Sequence, residues 1–326
     1  MLTRTPKKLT VIVPVHNEQE TVLAFLDRLL PVLDGCRSLM GADAGYDVLF
    51  VNDGSTDATR KVLEAAARRL PAVKLVNLSR NFGKEAALSA GLSFATGDAV
   101  VPIDVDLQDP PEVIREMVAK WLGGAKVVDG VRARRDADTW LKRTSASGFY
   151  RFYNLLADHP IPNNVGDFRL LDREVVEALK EFNEHTRFNK AIYSWVGFER
   201  STVEFVRAPR SGGTSKWRYW KLWNFALDGI VSSTTLPLRI WTYLGAAMAM
   251  LAFLYALFIF LRTIVFGVDA PGYASLMTVL LFVSGLNFLS LGVMGEYIGR
   301  ISREVRRRPL YIVQSTVGMD EPAKAT

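Results

Sequence analysis

Two long stretches without a charged side chain, Ile240 to Leu261 and Tyr273 to Gly295, constrain this chain more than any other feature. Each exceeds the roughly 20 residues needed to cross a bilayer core about 30 Å thick. Burying two such runs in succession inside protein would take a very large core, and the chain has only 326 residues. The segment between them, RTIVFGVDAPG, carries Gly267, Pro271 and Gly272 and suits a turn. The pattern predicts a transmembrane helical hairpin with spans at about 240–261 and 273–295.

The flanking charges orient that hairpin. Arg218, Lys221 and Arg239 precede the first run, and Arg300, Arg303, Arg306, Arg307 and Arg308 follow the second. The only basic residue of the connection is Arg262. By the positive-inside rule, both ends and the large N-terminal part are expected on the cytoplasmic side of the cell membrane, the inner membrane of a two-membrane cell. Much of the net charge of +6 comes from this cluster, so anionic lipid headgroups, not nucleic acid, are the expected partner. A single cysteine, Cys36, excludes an internal disulfide and fits a reducing compartment. No signal peptide is expected at the start: LTVIVPV is too short for one and runs into HNE.

Residues 1–235 alternate apolar and charged segments, as a water-exposed domain does. Strand-like runs at 9–15, 46–53, 73–79, 98–106 and 125–132 alternate with helical stretches near 18–33, 56–70, 83–95 and 110–122. Repeated β–α units predict an α/β fold with a mainly parallel, helix-covered sheet, which binds ligands at the carboxyl ends of its strands. Between sheet and hairpin, RSGGTSKWRYWKLWNFALDGI begins as a basic, glycine-rich loop. It then places Trp220, Trp223, Leu227 and Ile230 at helical spacing, as an interfacial helix over 216–235 would. The domains expected are 1–215, 216–235, 236–299 and a basic tail 300–326, with the residues after Pro309 loosely ordered.

Acidic residues gather at the expected carboxyl ends: PVHNE after strand one, VNDGSTD after strand two, DVDLQDP after strand four. Asp57 and Asp109 read as helix caps or solvated residues. In an extended chain Asp104, Asp106 and Gln108 share one face. Three oxygen donors without sulfur or imidazole suit Mg²⁺ or Mn²⁺, which leaves coordination positions to substrate phosphates. A diphosphate is the ligand implied, and Asp53 could accept hydrogen bonds from a ribose or base. Neither GxGxxG nor GxxxxGK[ST] occurs, so positive charge for the diphosphate must come from the metal and from basic side chains. Asp167, in VGDFRLL, could act as a base, bind sugar hydroxyls, or merely cap a turn.

VIVPVHNE, VNDGSTD, LSRNFGKEAALSAG, DVDLQDPPE, GDFRLLDREVVEAL, RAPRSGGTSKW and GEYIGRISREVRRRPLYIV, in that order, resemble the inverting GT-A-fold glycosyltransferases of family 2. They are most similar to the polyprenyl-phosphate type, the bactoprenol glucosyltransferases and dolichol-phosphate mannose synthases. The resemblance implies a GT-A, Rossmann-like nucleotide-sugar domain followed by the hairpin. It makes Pro14, Asn17, Glu18 and Asp53 nucleoside contacts, Asp104 and Asp106 the DxD pair, and Gln108 a further metal ligand. It places Arg210, Ser215 and Lys216 in a loop over the phosphates. The catalytic set it implies is Asp106, Asp167, Arg210 and Lys216. Two positions depart from the pattern, His16 where tyrosine is common and Asn52 where aspartate is common.

The activity implied is transfer of a hexose, best glucose, from a nucleotide-diphosphate sugar (a UDP-sugar) to polyprenyl (undecaprenyl) phosphate. The protein would work as a membrane-bound enzyme, one that could assemble as a homo-oligomer. A polysaccharide synthase of the same family is the alternative, but none of Gln19, Gln108 and Gln314 begins a QxxRW motif. A non-enzymatic membrane scaffold is a third reading, opposed by the intact DxD and Gln108.

Overall fold

The computed structural model describes residues 7–133, 165–182, 192–193, 195–207, 236–266 and 272–319. The expected interfacial helix over 216–235 lies outside these residues, as do Arg210, Ser215 and Lys216. In chain order the elements are β1 (Lys8–Val15), α1 (Val22–Met40), β2 (Gly45–Asn52), α2 (Thr59–Arg69), β3 (Val73–Leu78), α3 (Lys84–Phe94), β4 (Ala99–Pro102), α4 (Val113–Leu122), β5 (Val127–Arg132), β6 (Val165–Asp172), α5 (Arg173–Lys180), β7 (Arg200–Phe205), α6 (Leu236–Phe266), α7 (Tyr273–Val305) and β8 (Val313–Val317).

The strands form one sheet in the order β7-β5-β6-β4-β1-β2-β3-β8. β1 pairs in parallel with β2 and β4, and β2 with β3, so their carboxyl ends share an edge. The alternation of side chains divides the core. Leu9, Val11 and Val13 pack with α1 and α4 residues such as Leu26 and Ile114, whereas Ile12 and Leu49 meet Ala87, Leu88 and Val175 of α3 and α5. Both faces of the central strands are therefore covered, which is why LTVIVPV reads as an unbroken apolar run. Cys36 is buried in the first of these cores and is a free thiol.

β6 runs antiparallel to both β4 and β5. A buried ion group sets its place. Asp129 of β5 meets Arg169 of β6 at 3.2 Å and Arg200 of β7 at 2.8 Å, while Arg169 lies over the Tyr193 ring and donates to the Gly166 carbonyl. Asp129 and Arg169 are each 1% exposed, so removing either would strand a buried charge.

Two expectations need correction. Strand four ends at Pro102 rather than at 106; Ile103 N–H still donates to the Ile12 carbonyl, and the chain then turns from Val105 through Leu107 at φ +58°. The described residues after Pro309, 310–319, are not loose. β8 returns to the sheet and pairs antiparallel with β3, and Ser79 N–H donates to the Ile312 carbonyl at 2.9 Å. An open edge on β3 explains why: its unpaired backbone groups are satisfied by the returning strand.

The two uncharged runs lie in α6 and α7, which touch one another as a helical hairpin. Many large apolar side chains point outward, among them Phe253, Phe258, Phe282 and Phe288. Counted over the described residues alone, no helix is long and apolar enough to cross a membrane.

Candidate active site

The loops after β1, β2 and β3 interlock at the carboxyl edge. Asn17, at φ +56°, accepts from Thr56 N–H at 2.8 Å, and its own N–H donates to Ser55 Oγ. Glu18 N–H donates to Thr59 Oγ1, and its carboxylate accepts from Thr21 Oγ1. Asp57 accepts from Thr59 N–H at 3.0 Å and, more weakly, from Gln19 N–H, the local cap expected of it. Gly54 holds φ +59° with its Cα against the Arg80–Asn81 backbone, where any side chain would collide.

Asp53 is 4% exposed and accepts from Phe82 N–H at 2.7 Å and Gly83 N–H at 2.9 Å, one on each oxygen. Its carboxylate thus holds the segment entering α3. His16 is oriented from both sides: Nδ1 donates to the Asp53 carbonyl at 2.8 Å and Nε2 accepts from Asn81 Nδ2 at 3.0 Å. The carbonyl can only accept, so the ring proton sits on Nδ1.

Lys84, the first residue of α3, is the centre of the acidic part. Its ammonium lies 2.7 Å from Asp104 Oδ1, 2.8 Å from Asp104 Oδ2 and 2.9 Å from Asp167 Oδ2. Burial works against this charge, but the two carboxylates outweigh it and raise the Lys84 pKa above the ordinary lysine value. The antiparallel register explains the meeting. Ala99 pairs with Asp172 and Val100 with Leu171, and the same register carried past the end of β4 sets residue 104 opposite 167. Asp106 stands beyond, its Oδ1 accepting from Gln108 N–H at 3.1 Å across the turn. The carboxylates therefore converge through a turn and a neighbouring strand, not through one extended face.

A cavity of about 300 Å³ opens here, lined by residues that include Pro14, Glu18, Asp53, Lys84, Asp104 and Asp106; Gln108 is outside the lining. A larger one, about 830 Å³, lies toward the other end of α3 against Arg307, Arg308 and Tyr311, away from these carboxylates. Asp109, expected as a cap or a solvated residue, is instead 4% exposed with Arg207 Nε 3.4 Å away. Burial pushes its carboxyl up; Arg207 and Arg132 oppose this, and the nearby Asp104 and Asp106 add to it. Arg207 is the last described residue before the loop expected to cover the phosphates.

Sequence reasoning passed over Lys84 and Asn81, although both lie in LSRNFGKEAALSAG. One signal was available. A lysine at the first position of a helix faces the positive end of the helix dipole, and calls for nearby carboxylates to offset it. Among the described residues no group of three or more His, Cys, Asp or Glu side chains is gathered for a metal ion. Two carboxylates, with the remaining positions left to ligand and water, is nonetheless how Mg²⁺ is usually held.

Residues 10–180 match the model of glycosyl transferase family 2, and residues 236–301 match the GtrB C-terminal hairpin. The "Uncharacterized glycosyltransferase sll0501" of Synechocystis is 49% identical over 96% of this chain and 96% of its own. The SfII prophage-derived bactoprenol glucosyl transferase of Shigella flexneri is 46% identical over 95% of this chain and 98% of its own. Among solved structures, glucosyl-3-phosphoglycerate synthase from Mycobacterium tuberculosis, in complex with Mn²⁺, UDP and phosphoglyceric acid, aligns with a TM-score of 0.45. That alignment has 20% identity over 69% of this chain and 76% of that one. With an α/β sheet whose carboxyl edge gathers the acidic pair, and near full-length relatives that are glycosyltransferases, the chain belongs to glycosyl transferase family 2 and is a GT-A glycosyltransferase bearing a GtrB-type C-terminal hairpin.

Proposed function

We propose that the protein transfers glucose from UDP-glucose to polyprenyl phosphate, with inversion, at the cytoplasmic face of a membrane. The observation that carries this reading is the cavity where Asp104, Asp106 and Lys84 face the polar loops of β1 and β2. The bactoprenol glucosyl transferase relatives support the choice of sugar and lipid.

Asp104 and Asp106 would hold Mg²⁺ or Mn²⁺, since both are hard oxygen donors and Asp104 already attracts a cation, the Lys84 ammonium. When bound, the divalent ion supplies positive charge to the leaving diphosphate. Lys84 holds Asp104 and Asp167 in fixed positions, so the acidic wall is set before substrate arrives. Asp167, tied to that ammonium, then aligns the site and is not needed to remove a proton. The acceptor phosphate has its second ionisation near pH 6 and is its own nucleophile at neutral pH. Arg210 and Lys216 would supply further positive charge to the diphosphate, and Ser215 a hydroxyl donor, as the family resemblance implies.

The helices α6 and α7 cross the bilayer in this reading. Their outward apolar side chains and the arginines at 300, 303 and 306–308 support it. Reconstituted enzyme given UDP-glucose, Mn²⁺ and undecaprenyl phosphate should release UDP and form a glucosyl lipid phosphate of inverted configuration. Absence of lipid product, with intact protein and turnover of neither UDP-glucose nor another nucleotide sugar, would overturn the assignment. A cysteine placed at Asp269 or Ala270 should react with an impermeant reagent added outside, and one at Arg306 should not.

A further inference from the structure

Beside the acidic cavity lies another of about 550 Å³, whose lining includes His16, Asn52, Ser55, Arg60, Asn81 and Gln314. His16 and Asn81 line both cavities, so the two are neighbours. Gln314 belongs to β8, beyond the hairpin and 254 positions from Arg60. Arg60 donates from Nη1 to Gln314 Oε1 at 3.1 Å and is itself held by Glu64 at 2.8 Å. A guanidinium has no acceptor, so this contact turns the amide carbonyl toward Arg60. The Gln314 NH₂ then presents two N–H donors.

A chain of hydrogen bonds fixes β8 behind that wall. Asn77 Nδ2 donates to Ser315 Oγ at 3.0 Å, Asn52 Nδ2 donates to Asn77 Oδ1 at 2.8 Å, and Ser55 N–H donates to Asn52 Oδ1 at 3.1 Å. Asn52 and Asn77 are 2% and 1% exposed, and buried amides persist only when paired in this way. The strand after the membrane hairpin is thereby tied to the floor of a cavity neighbouring the Asp104–Asp106 edge.

We propose that β8 supplies the base-selecting wall of the donor site, with the Gln314 amide, aimed by Arg60, donating to a ring carbonyl of the nucleobase. This rests on the nucleotide-sugar reading above. Uracil and cytosine have the same size, so cavity volume cannot separate them. They share the C2 carbonyl and differ at C4 and at N3; the amide separates them at C4, where uracil carries a carbonyl, which accepts, and cytosine an amine, which meets donor with donor. Gln314 is exposed in the ligand-free chain; once the base covers its amide, an analogue that presents a donor there leaves two donors facing each other, and affinity is lost.

The test is equilibrium binding of UDP and CDP, each with Mn²⁺, to the full-length protein in detergent. The parent protein should prefer UDP by at least about tenfold, the scale of one well-placed hydrogen bond. Gln314→Leu should weaken UDP binding about tenfold and leave CDP nearly unchanged. Gln314→Glu keeps an acceptor for Arg60 but loses the donor, so the fold is preserved while the preference shifts toward CDP. Ser315→Ala, which alters the strand's anchor outside the lining, should lower Tm and leave the UDP:CDP ratio alone. An unchanged ratio in both Gln314 variants, with UDP still bound by the parent, overturns the wall. If the parent binds neither nucleotide, the nucleotide-sugar reading itself fails and this inference falls with it.

Discussion

β6 carries an aspartate near each end, and the two are held in opposite ways. Asp172 accepts from the Trp121 indole at 2.8 Å, from Glu174 N–H at 3.1 Å and from the Lys126 ammonium at 3.2 Å. Burial alone would raise its pKa, but these donors outweigh burial and hold the carboxyl below its usual range. Asp167, five positions earlier on the strand, meets the Lys84 ammonium, which it shares with Asp104. A carboxylate satisfied by indole and backbone is part of the scaffold, since those donors cannot leave. One satisfied by a lysine at the mouth of a cavity keeps a charge that a ligand or a metal ion can share. The same residue type on the same strand is therefore part of the scaffold at one end and, in the proposed function, part of the site at the other.

The contrast breaks most sharply at the site end. Asp106→Asn should lower transfer by about 10³-fold or more while Tm stays within a degree or so of the parent, because an amide is a poor substitute for a ligating carboxylate. Chelation of divalent metal should do the same and be reversed by Mn²⁺. Full activity in metal-free enzyme would refute the metal role of the pair.

Next in size is Lys84→Met. Loss of the ammonium should lower kcat by about 10²-fold, the scale for one preorganised electrostatic group. Mn²⁺ should bind the donor-free variant more tightly, since the cation competing for Asp104 is gone. An Mn²⁺ titration followed by electron paramagnetic resonance reads this directly, and unchanged affinity with unchanged kcat would reduce Lys84 to a surface ion pair.

At the scaffold end, Asp172→Asn should cost about 1–3 kcal/mol of stability at neutral pH and leave kcat nearly unchanged. The folded-state carboxyl is held below its unfolded value, so its contribution is complete above the unfolded pKa. It is lost as pH falls through the folded value. The stability difference between variant and parent should therefore shrink below about pH 4. Urea melts across that range check the sign. Smallest of all, Lys126→Met removes only one of three donors, from a partly exposed ammonium, and should cost under about 1 kcal/mol. A larger loss there would erase the distinction between one shared lysine and several fixed donors.

Much of this molecule was legible locally. LTVIVPV, YDVLFVND and VKLVNLS read as buried strands and are β1, β2 and β3, because a run apolar on both faces has no other stable place in a domain this size. The two uncharged runs announced paired long helices by length alone. The acidic residues at the strand ends were visible because β–α alternation implies a common carboxyl edge.

Tertiary structure decided what depends on register and return. The sequence pattern put Asp104 and Asp106 on a strand, but that strand ends at Pro102 and the chain turns from Val105 through Leu107 at φ +58°, and a local turn of this kind leaves no trace in hydrophobic pattern. That Lys84 would stand between Asp104 and Asp167 depends on the antiparallel pairing of β6 with β4, anchored by the Arg169–Asp129 pair in the core. That VQSTV would close the sheet on β3 depends on an edge left open by strands more than two hundred positions earlier. Periodicity records which face of a segment is buried. It does not record which other segment the backbone of an edge strand will find, because that choice is made by hydrogen-bonding groups common to every residue.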